Sequence, residues 1–319
     1  MSFKDIRGHS RPIDFLKRSL ENDTLSHAFI FFGPSGIGKK LVALNLAKAI
    51  NCMAEKSARP CDACAPCKKI GSANHPDIFL IQPEKEGASI KIDTIRDLIK
   101  DIGLKPYEAR KKAYIIDEAE TMTPDAQNAL LKTLEEPPSE SVLVLVTENM
   151  DALLPTIVSR SQVIRFFPLA IEEVKDALVS MHEVDEARAH VLAHLSSGRI
   201  GEALRYKDAH FFEKRSKVIK GLIAKTFFDA DFDGLSRKDM KLYLYIMLTW
   251  YRDILVAKSA PGAVSTLVNI DSTDAITAAA KSMAFDKVDA IIKQIIATNS
   301  FLDQNANPKL AMSTLGLLV

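Results

Sequence analysis

Three observations predict an α/β protein with a parallel-sheet core. Short apolar runs alternate with helical patterns, a glycine-rich turn joins the first run to the helix behind it, and a pair of acids stands at the end of a later run. From Pro168 onward the pattern is helical only. The expected architecture is therefore a parallel-sheet core with an inserted cysteine module, a small helical lid and a C-terminal all-helical domain.

Taken in order, Ile13 to Leu20 reads as a short amphipathic helix and Ala28-Phe-Ile-Phe-Phe32 as the first buried strand. In the following helix, Leu41 to Ile50, the residues Ala43, Leu46, Ala47 and Ile50 fall on one face. After the cysteine insert, Asp77-Ile-Phe-Leu-Ile81 reads as a second buried strand, and Ile95, Leu98, Ile99 and Ile102 mark a helix ending at Gly103. Ala113-Tyr-Ile-Ile116 is a third strand and delivers Asp117-Glu118. Thr123 as N-cap and Pro124 at the first helical position start a helix that stops before Pro137-Pro138. Val142 to Val146 and Gln162 to Phe166 supply two more strands. The boundaries expected are 1–167 for the core with its cysteine module at 52–67, 168–207 for the lid and 208–319 for the helical domain.

The balance of Lys+Arg 42 against Asp+Glu 41 leaves a net charge of +1, so the whole molecule is not an electrostatic nucleic-acid binder. Lys105, Arg110, Lys111 and Lys112 form a basic stretch that reads as a solvated loop or a local DNA contact. No apolar span reaches 18 residues and no leader pattern follows Met1, which predicts a cytoplasmic protein without a membrane segment.

Gly33-Pro-Ser-Gly-Ile-Gly-Lys-Lys40 is a phosphate-loop arrangement with one substitution. Gly33, Gly36 and Gly38 let backbone N–H groups curl around phosphates, and Lys39 reaches the β/γ oxygens. The next position normally offers a hydroxyl to Mg²⁺, but here it is Lys40. An ammonium cannot ligate a cation and stands as a like charge beside the metal's place. The loop keeps what it needs to hold ATP or ADP, whereas Mg²⁺ and hydrolysis are in question. Asp117-Glu118 matches the Walker B pattern, in which the Asp supports Mg²⁺ and the Glu polarises the attacking water.

Cys52, Cys61, Cys64 and Cys67 are all the cysteines of the chain. Their spacing, C-x₈-C-x₂-C-x₂-C, suits a closed tetrahedral thiolate shell around structural Zn²⁺. An iron–sulfur cluster competes, although Cys67 is followed by Lys-Lys rather than Pro, and redox pairing of Cys61 with Cys64 is the third reading.

Leu25-Ser-His-Ala28, the cysteine quartet, His75-Pro-Asp77, Asn128-Ala-Leu-Leu-Lys-Thr-Leu-Glu-Glu-Pro-Pro138, Ile157-Val-Ser-Arg160 and Asn307-Pro308 together carry a resemblance that spans nearly the whole chain. It resembles the delta-prime subunits of the bacterial DNA polymerase III clamp loader, within the AAA+ superfamily. The resemblance implies an AAA+ core, a lid, and a collar through which five subunits, with gamma/tau ATPases and delta among them, form an open ring. That assembly would load the sliding clamp onto primer-template DNA.

Motor subunits of that family carry Ser or Thr after the loop lysine, Thr or Asn as sensor 1 and Arg as sensor 2. Those places here are Lys40, Glu148 and Gly201, with Arg199 two residues out of helical phase. Ser159-Arg160 matches the Ser-Arg-Cys motif that donates an arginine finger in trans, with Ser161 in place of the Cys; the plainer reading of Arg160 is a surface ion pair. The expectation is a non-motor subunit that supplies Arg160 to a neighbour. One rival is a self-sufficient motor-type ATPase, against which Lys40 and Gly201 speak. The other is a zinc-dependent nucleic-acid module, against which the near-neutral charge speaks.

Overall fold

The computed structural model describes residues 2–316 apart from 86, 139, 230–235 and 305–306, so the last three positions of the expected helical domain lie outside the described residues. Contacts divide the chain into one unit of residues 1–174 and 197–201 and a second of residues 175–196 and 202–319.

The first unit is built on five parallel strands in the order β2-β3-β4-β1-β5. They are β1 (Ala28–Phe32), β2 (Ile78–Ile81), β3 (Lys112–Ile116), β4 (Ser141–Thr147) and β5 (Gln162–Arg165). The apolar runs explain the three central strands, because a strand covered on both faces needs apolar residues at every position. In β1, Phe29 and Phe31 enter one core while Ala28 and Ile30 enter the opposite one, as the two-residue period of a strand requires. On the first face lie α1 (Ser10–Glu21), through Ile13 and Leu16, and α2 (Lys39–Asn51), through Val42, Ala43 and Leu46. A short helix, α3 (Ala65–Gly71), closes the cysteine insert. The second face is covered by α4 (Ile92–Ile102), α5 (Pro124–Glu135) and α6 (Pro155–Ser159), through Ile95, Leu98, Leu130, Leu134 and Ile157.

Two readings from the sequence are corrected here. β2 is not a buried strand: it lies at the sheet edge, and Leu80 is 40% exposed. Lys112 is no part of an exposed basic loop, since it is buried at the start of β3 with its ammonium 2.9 Å from Asp101 Oδ2.

The helical remainder comprises α7 (Ile171–His182), α8 (Glu186–Ser196), α9 (Ile200–Arg205), α10 (Ala209–Ala224), α11 (Arg237–Ser259), α12 (Thr273–Ser282), α13 (Phe285–Asp303) and α14 (Pro308–Gly316). In the second unit, Met247, Trp250 and Ile254 of α11 pack with Val288, Ile291 and Ile295 of α13 and Met312 of α14. Asp253 is wholly buried there and accepts N–H bonds from Val268 and Asn269 at 3.0 and 2.7 Å, while Arg215 forks onto Asp271 at 2.7 and 2.8 Å. Each buried charge is therefore met by donors or by an opposite charge. Among the described residues no helix is long and apolar enough to cross a membrane.

Candidate functional site

The phosphate loop sits where parallel-sheet proteins hold ligands, at the carboxyl ends of the strands. Gly33 leaves β1 with its N–H bonded to Thr147 O at the end of β4, 3.2 Å away. At φ +156 a Cβ there would stand 2.4 Å from Phe166 O, so only glycine fits between the two flanking strand ends. Gly36 and Gly38 take positive φ values of 76° and 100°, which curl the loop into α2.

Lys39, Lys40, Asp117 and Glu148 each have a partner inside the chain, whereas among the described residues Glu120 Oε2 is buried without one. Lys39 turns back, its Nζ donating to Gly33 O and Pro34 O at 2.5 and 2.7 Å. Burial lowers its pKa, against the pull of Glu120, Glu148 and Asp117. Lys40 Nζ lies 3.1 Å from Asp117 Oδ2 and donates to Gln82 Oε1 at 2.8 Å. The ammonium thus rests on the carboxylate that a phosphate-loop enzyme keeps for its metal. Glu148, directly after β4, accepts the Ser35 N–H through Oε2 at 3.2 Å, placing an anion on a loop donor that would otherwise face phosphate. Glu118 adopts a left-handed conformation with φ 53; burial first, then the neighbouring Asp117, Glu120 and Glu148, raise its pKa.

Gly201 gives the loop a further contact. Its N–H donates to Gly36 O at 2.7 Å, and an added Cβ would stand 2.9 Å from that oxygen. Backbone packs on backbone where the resemblance implies an arginine in motor subunits. Arg199 precedes α9 rather than lying on it, so its displacement from the sensor position is not a matter of helical phase.

The cysteines converge as expected from their spacing. All four sulfurs lie within 4.8 Å of one another, with Cys52 and Cys67 buried. Cys64 Sγ is 3.9 Å from Cys52 Sγ, too far for a disulfide; sulfurs at about 2.3 Å from a tetrahedral ion stand about 3.8 Å apart. The N–H of Cys64 bonds Cys61 Sγ at 3.4 Å and is the main reason that thiol is lowered to about 6. Burial raises the thiols of Cys52 and Cys67, so a cation is what would hold that pair as thiolates. The donor set fits a structural metal ion. Lys48 of α2 anchors the insert through Asp62 Oδ1 at 2.7 Å.

Arg160 caps the C-terminus of α6 and is half-exposed, 36% for its side chain. Its Nη2 pairs with Glu135 Oε1 at 2.8 Å, and its Nη1 donates to Thr156 O at 3.2 Å. The adjoining Ser161 Oγ is buried and without a hydrogen-bond partner.

His75-Pro-Asp77 has a local task that its spacing did not reveal. Asp77 is buried and accepts the backbone N–H groups of Tyr107, Glu108 and Ala109, each at 2.8 Å. Burial alone would raise its pKa, but those N–H groups, with His75 adding, lower it. Tyr107, 85% exposed, is thus carried on a loop fixed from beneath.

A family described as DNA polymerase III, delta subunit, matches residues 8–170, and its C-terminal counterpart matches residues 209–317. The chain belongs to this family. The resemblance read from the sequence is borne out, and the five-stranded parallel sheet followed by helices is the fold class it implies. The DNA polymerase III subunit delta' of Bacillus subtilis (strain 168) is 42% identical over 211 residues, 66% of this chain and 63% of that protein. The subunit delta' of Pseudomonas aeruginosa is 35% identical over 62% of this chain and 60% of that protein. Subunit tau of Bacillus subtilis (strain 168) is 30% identical over 302 residues, 85% of this chain but 53% of that protein. The matches therefore span about half to two thirds of those relatives' own length.

Proposed function

We propose that this family member is a delta-prime-type, non-motor subunit of the DNA polymerase III clamp loader. The observation that carries the reading is the Lys40–Asp117 pair at 3.1 Å. A cation of the chain's own stands where a metal would be needed, so the cis site is closed to hydrolysis. The two relatives named delta' support the same assignment.

In this reading the chain has the AAA+ core (1–167), a lid (168–207) and a collar (208–319), and the collar joins it to gamma/tau ATPases and delta in a five-membered ring. The ring loads the sliding clamp on primed DNA. The chain's chemical contribution is Arg160, whose guanidinium exchanges Glu135 for the γ-phosphate held by an adjacent subunit. A fork of N–H donors neutralises the charge that develops there. The four cysteines hold Zn²⁺, which supplies local folding energy and no catalysis, because a closed thiolate shell leaves no open position.

The tau match, which covers more of this chain than the delta' matches, favours a motor-type reading. ATPase assays separate the two: the isolated chain should turn over negligibly, and a rate comparable to an isolated motor subunit would reject the closed-site reading.

A further inference from the structure

The first unit holds another cavity, of about 310 Å³, that none of the roles above uses. Leu20, Leu25 and Ile50 give it an apolar side, while Lys56, Arg59, Arg110 and Lys111 surround it with cations and Asp23 supplies the one carboxylate. That is a local excess of three positive charges in a chain whose net charge is +1.

The cations arrive by separate routes and are fixed through the backbone. Lys56 and Arg59 ride on the cysteine insert. Arg110 and Lys111 precede β3, where the buried Asn51 at the end of α2 accepts both of their N–H groups, at 2.8 and 3.2 Å, and donates to Lys111 O at 3.0 Å. Asn51 adjoins Cys52, so one helix end ties the cysteine centre to the basic segment.

Asp23 behaves as a resident anion. Its Oδ2 pairs with Lys56 Nζ at 2.6 Å, and the Lys56 hydrogen bond, followed by Arg59 and Lys111, holds its carboxyl below the usual carboxylate range. Its side chain is 79% exposed, so it can leave without being buried elsewhere. Among the described residues no acid lies within ion-pair distance of Arg59, Arg110 or Lys111.

We propose that this cavity binds a small phosphate ester of nucleotide size, whose phosphate displaces the Asp23 carboxylate among Arg59, Arg110 and Lys111 while its apolar part rests on Leu20, Leu25 and Ile50. Guanidinium groups fork onto phosphate oxygens, and crowded cations with one mobile carboxylate gain most from such an anion. The volume sits at the lower end of the about 300–1,000 Å³ range of small-ligand pockets. A polynucleotide would instead need a basic groove tracking several phosphates.

The test titrates AMP, ATP and inorganic pyrophosphate calorimetrically into the full zinc-loaded chain carrying Lys39→Ala, which disables the phosphate loop. At least one of the three should bind. Arg110→Ala or Arg59→Ala should weaken that binding about tenfold, the loss of one charged contact, and Asp23→Asn should tighten it several-fold. A gain of affinity cannot come from misfolding, so the Asp23 variant keeps the test sound if an arginine variant folds poorly. Preference for the nucleotides over pyrophosphate assigns the apolar side, and the reverse assigns a free polyphosphate to the same cations. No binding by any of the three, or binding indifferent to all three substitutions, overturns the proposal. A single-stranded oligonucleotide that binds more tightly than every small ligand and is lost with Arg110→Ala also overturns it, in favour of a nucleic-acid surface.

Discussion

Lys40 Nζ stands 3.1 Å from Asp117 Oδ2, a contact that joins the residue after the loop lysine to the acid at the end of β3. With Glu148 on the Ser35 N–H at 3.2 Å, the chain supplies both a cation at the metal's place and an anion at a phosphate donor. Replacing both, Lys40→Thr with Glu148→Asn, should tighten Mg²⁺-nucleotide binding at least about tenfold, the worth of one recovered charged contact. Equilibrium titration with a fluorescent nucleotide measures this; unchanged affinity would mean the two side chains are not what closes the site. Lys39→Ala should leave the ATPase of the reconstituted complex within about twofold, and a collapse in a complex that still assembles would reveal a working motor site.

Arg160→Ala should leave assembly and metal content intact while clearly lowering DNA-stimulated ATPase and clamp loading. An arginine finger is worth roughly 10³ to 10⁵ at its own site, and the whole-complex loss is smaller because one site of several depends on it. The Glu135 pair that the substitution breaks is half-exposed and worth under about 1 kcal/mol, so stability should hardly move. Wild-type loading by an assembled variant would reduce this chain to a scaffold.

Elemental analysis of the purified chain should find close to one zinc per molecule. Cys64→Ser or chelation should abolish it and unfold the insert, with a binding contribution on the order of ten kcal/mol at neutral pH. Iron with visible absorption, or no metal, rejects the assignment.

Asp77→Ala should destabilise the first unit by roughly 2 to 4 kcal/mol, because three backbone N–H groups lose a buried charged acceptor; urea denaturation followed by tryptophan-independent probes such as far-UV circular dichroism measures it. Loss below about 0.5 kcal/mol would show that the 107–109 loop finds other partners.

Acid should begin to destabilise the same region before ordinary carboxylates titrate. His75 is buried, which lowers its pKa against the influence of Glu108 and Asp77, and its Nδ1 accepts the Asp77 N–H at 3.2 Å. The unfolded chain binds a proton near pH 6.5 that the folded one refuses, so stability is present above that pH and falls below it. Asp77, itself lowered, adds loss in the same direction at lower pH. His75→Gln should flatten the stability profile between about pH 7 and 5; an unchanged slope would assign the acid sensitivity elsewhere.

What was legible in the sequence is what contiguous residues encode. β1 has the bounds its apolar run predicts, Thr123 caps α5 as its side chain and the following Pro124 require, and the cysteine quartet closes on itself. Propensity, capping and ligand spacing act over a few residues, so they can be read in one dimension. Lys40 could be read as unfit for a metal, but not as bonded to Gln82 and Asp117, 42 and 77 positions onward. Nor could Glu148 be placed on Ser35, Gly201 on Gly36, Arg160 on Glu135, or the cations of two distant segments around one cavity. The tertiary structure decided those, because the order of strands in a sheet brings together ends that lie far apart in the chain, and a charged side chain takes whichever partner that packing leaves within reach.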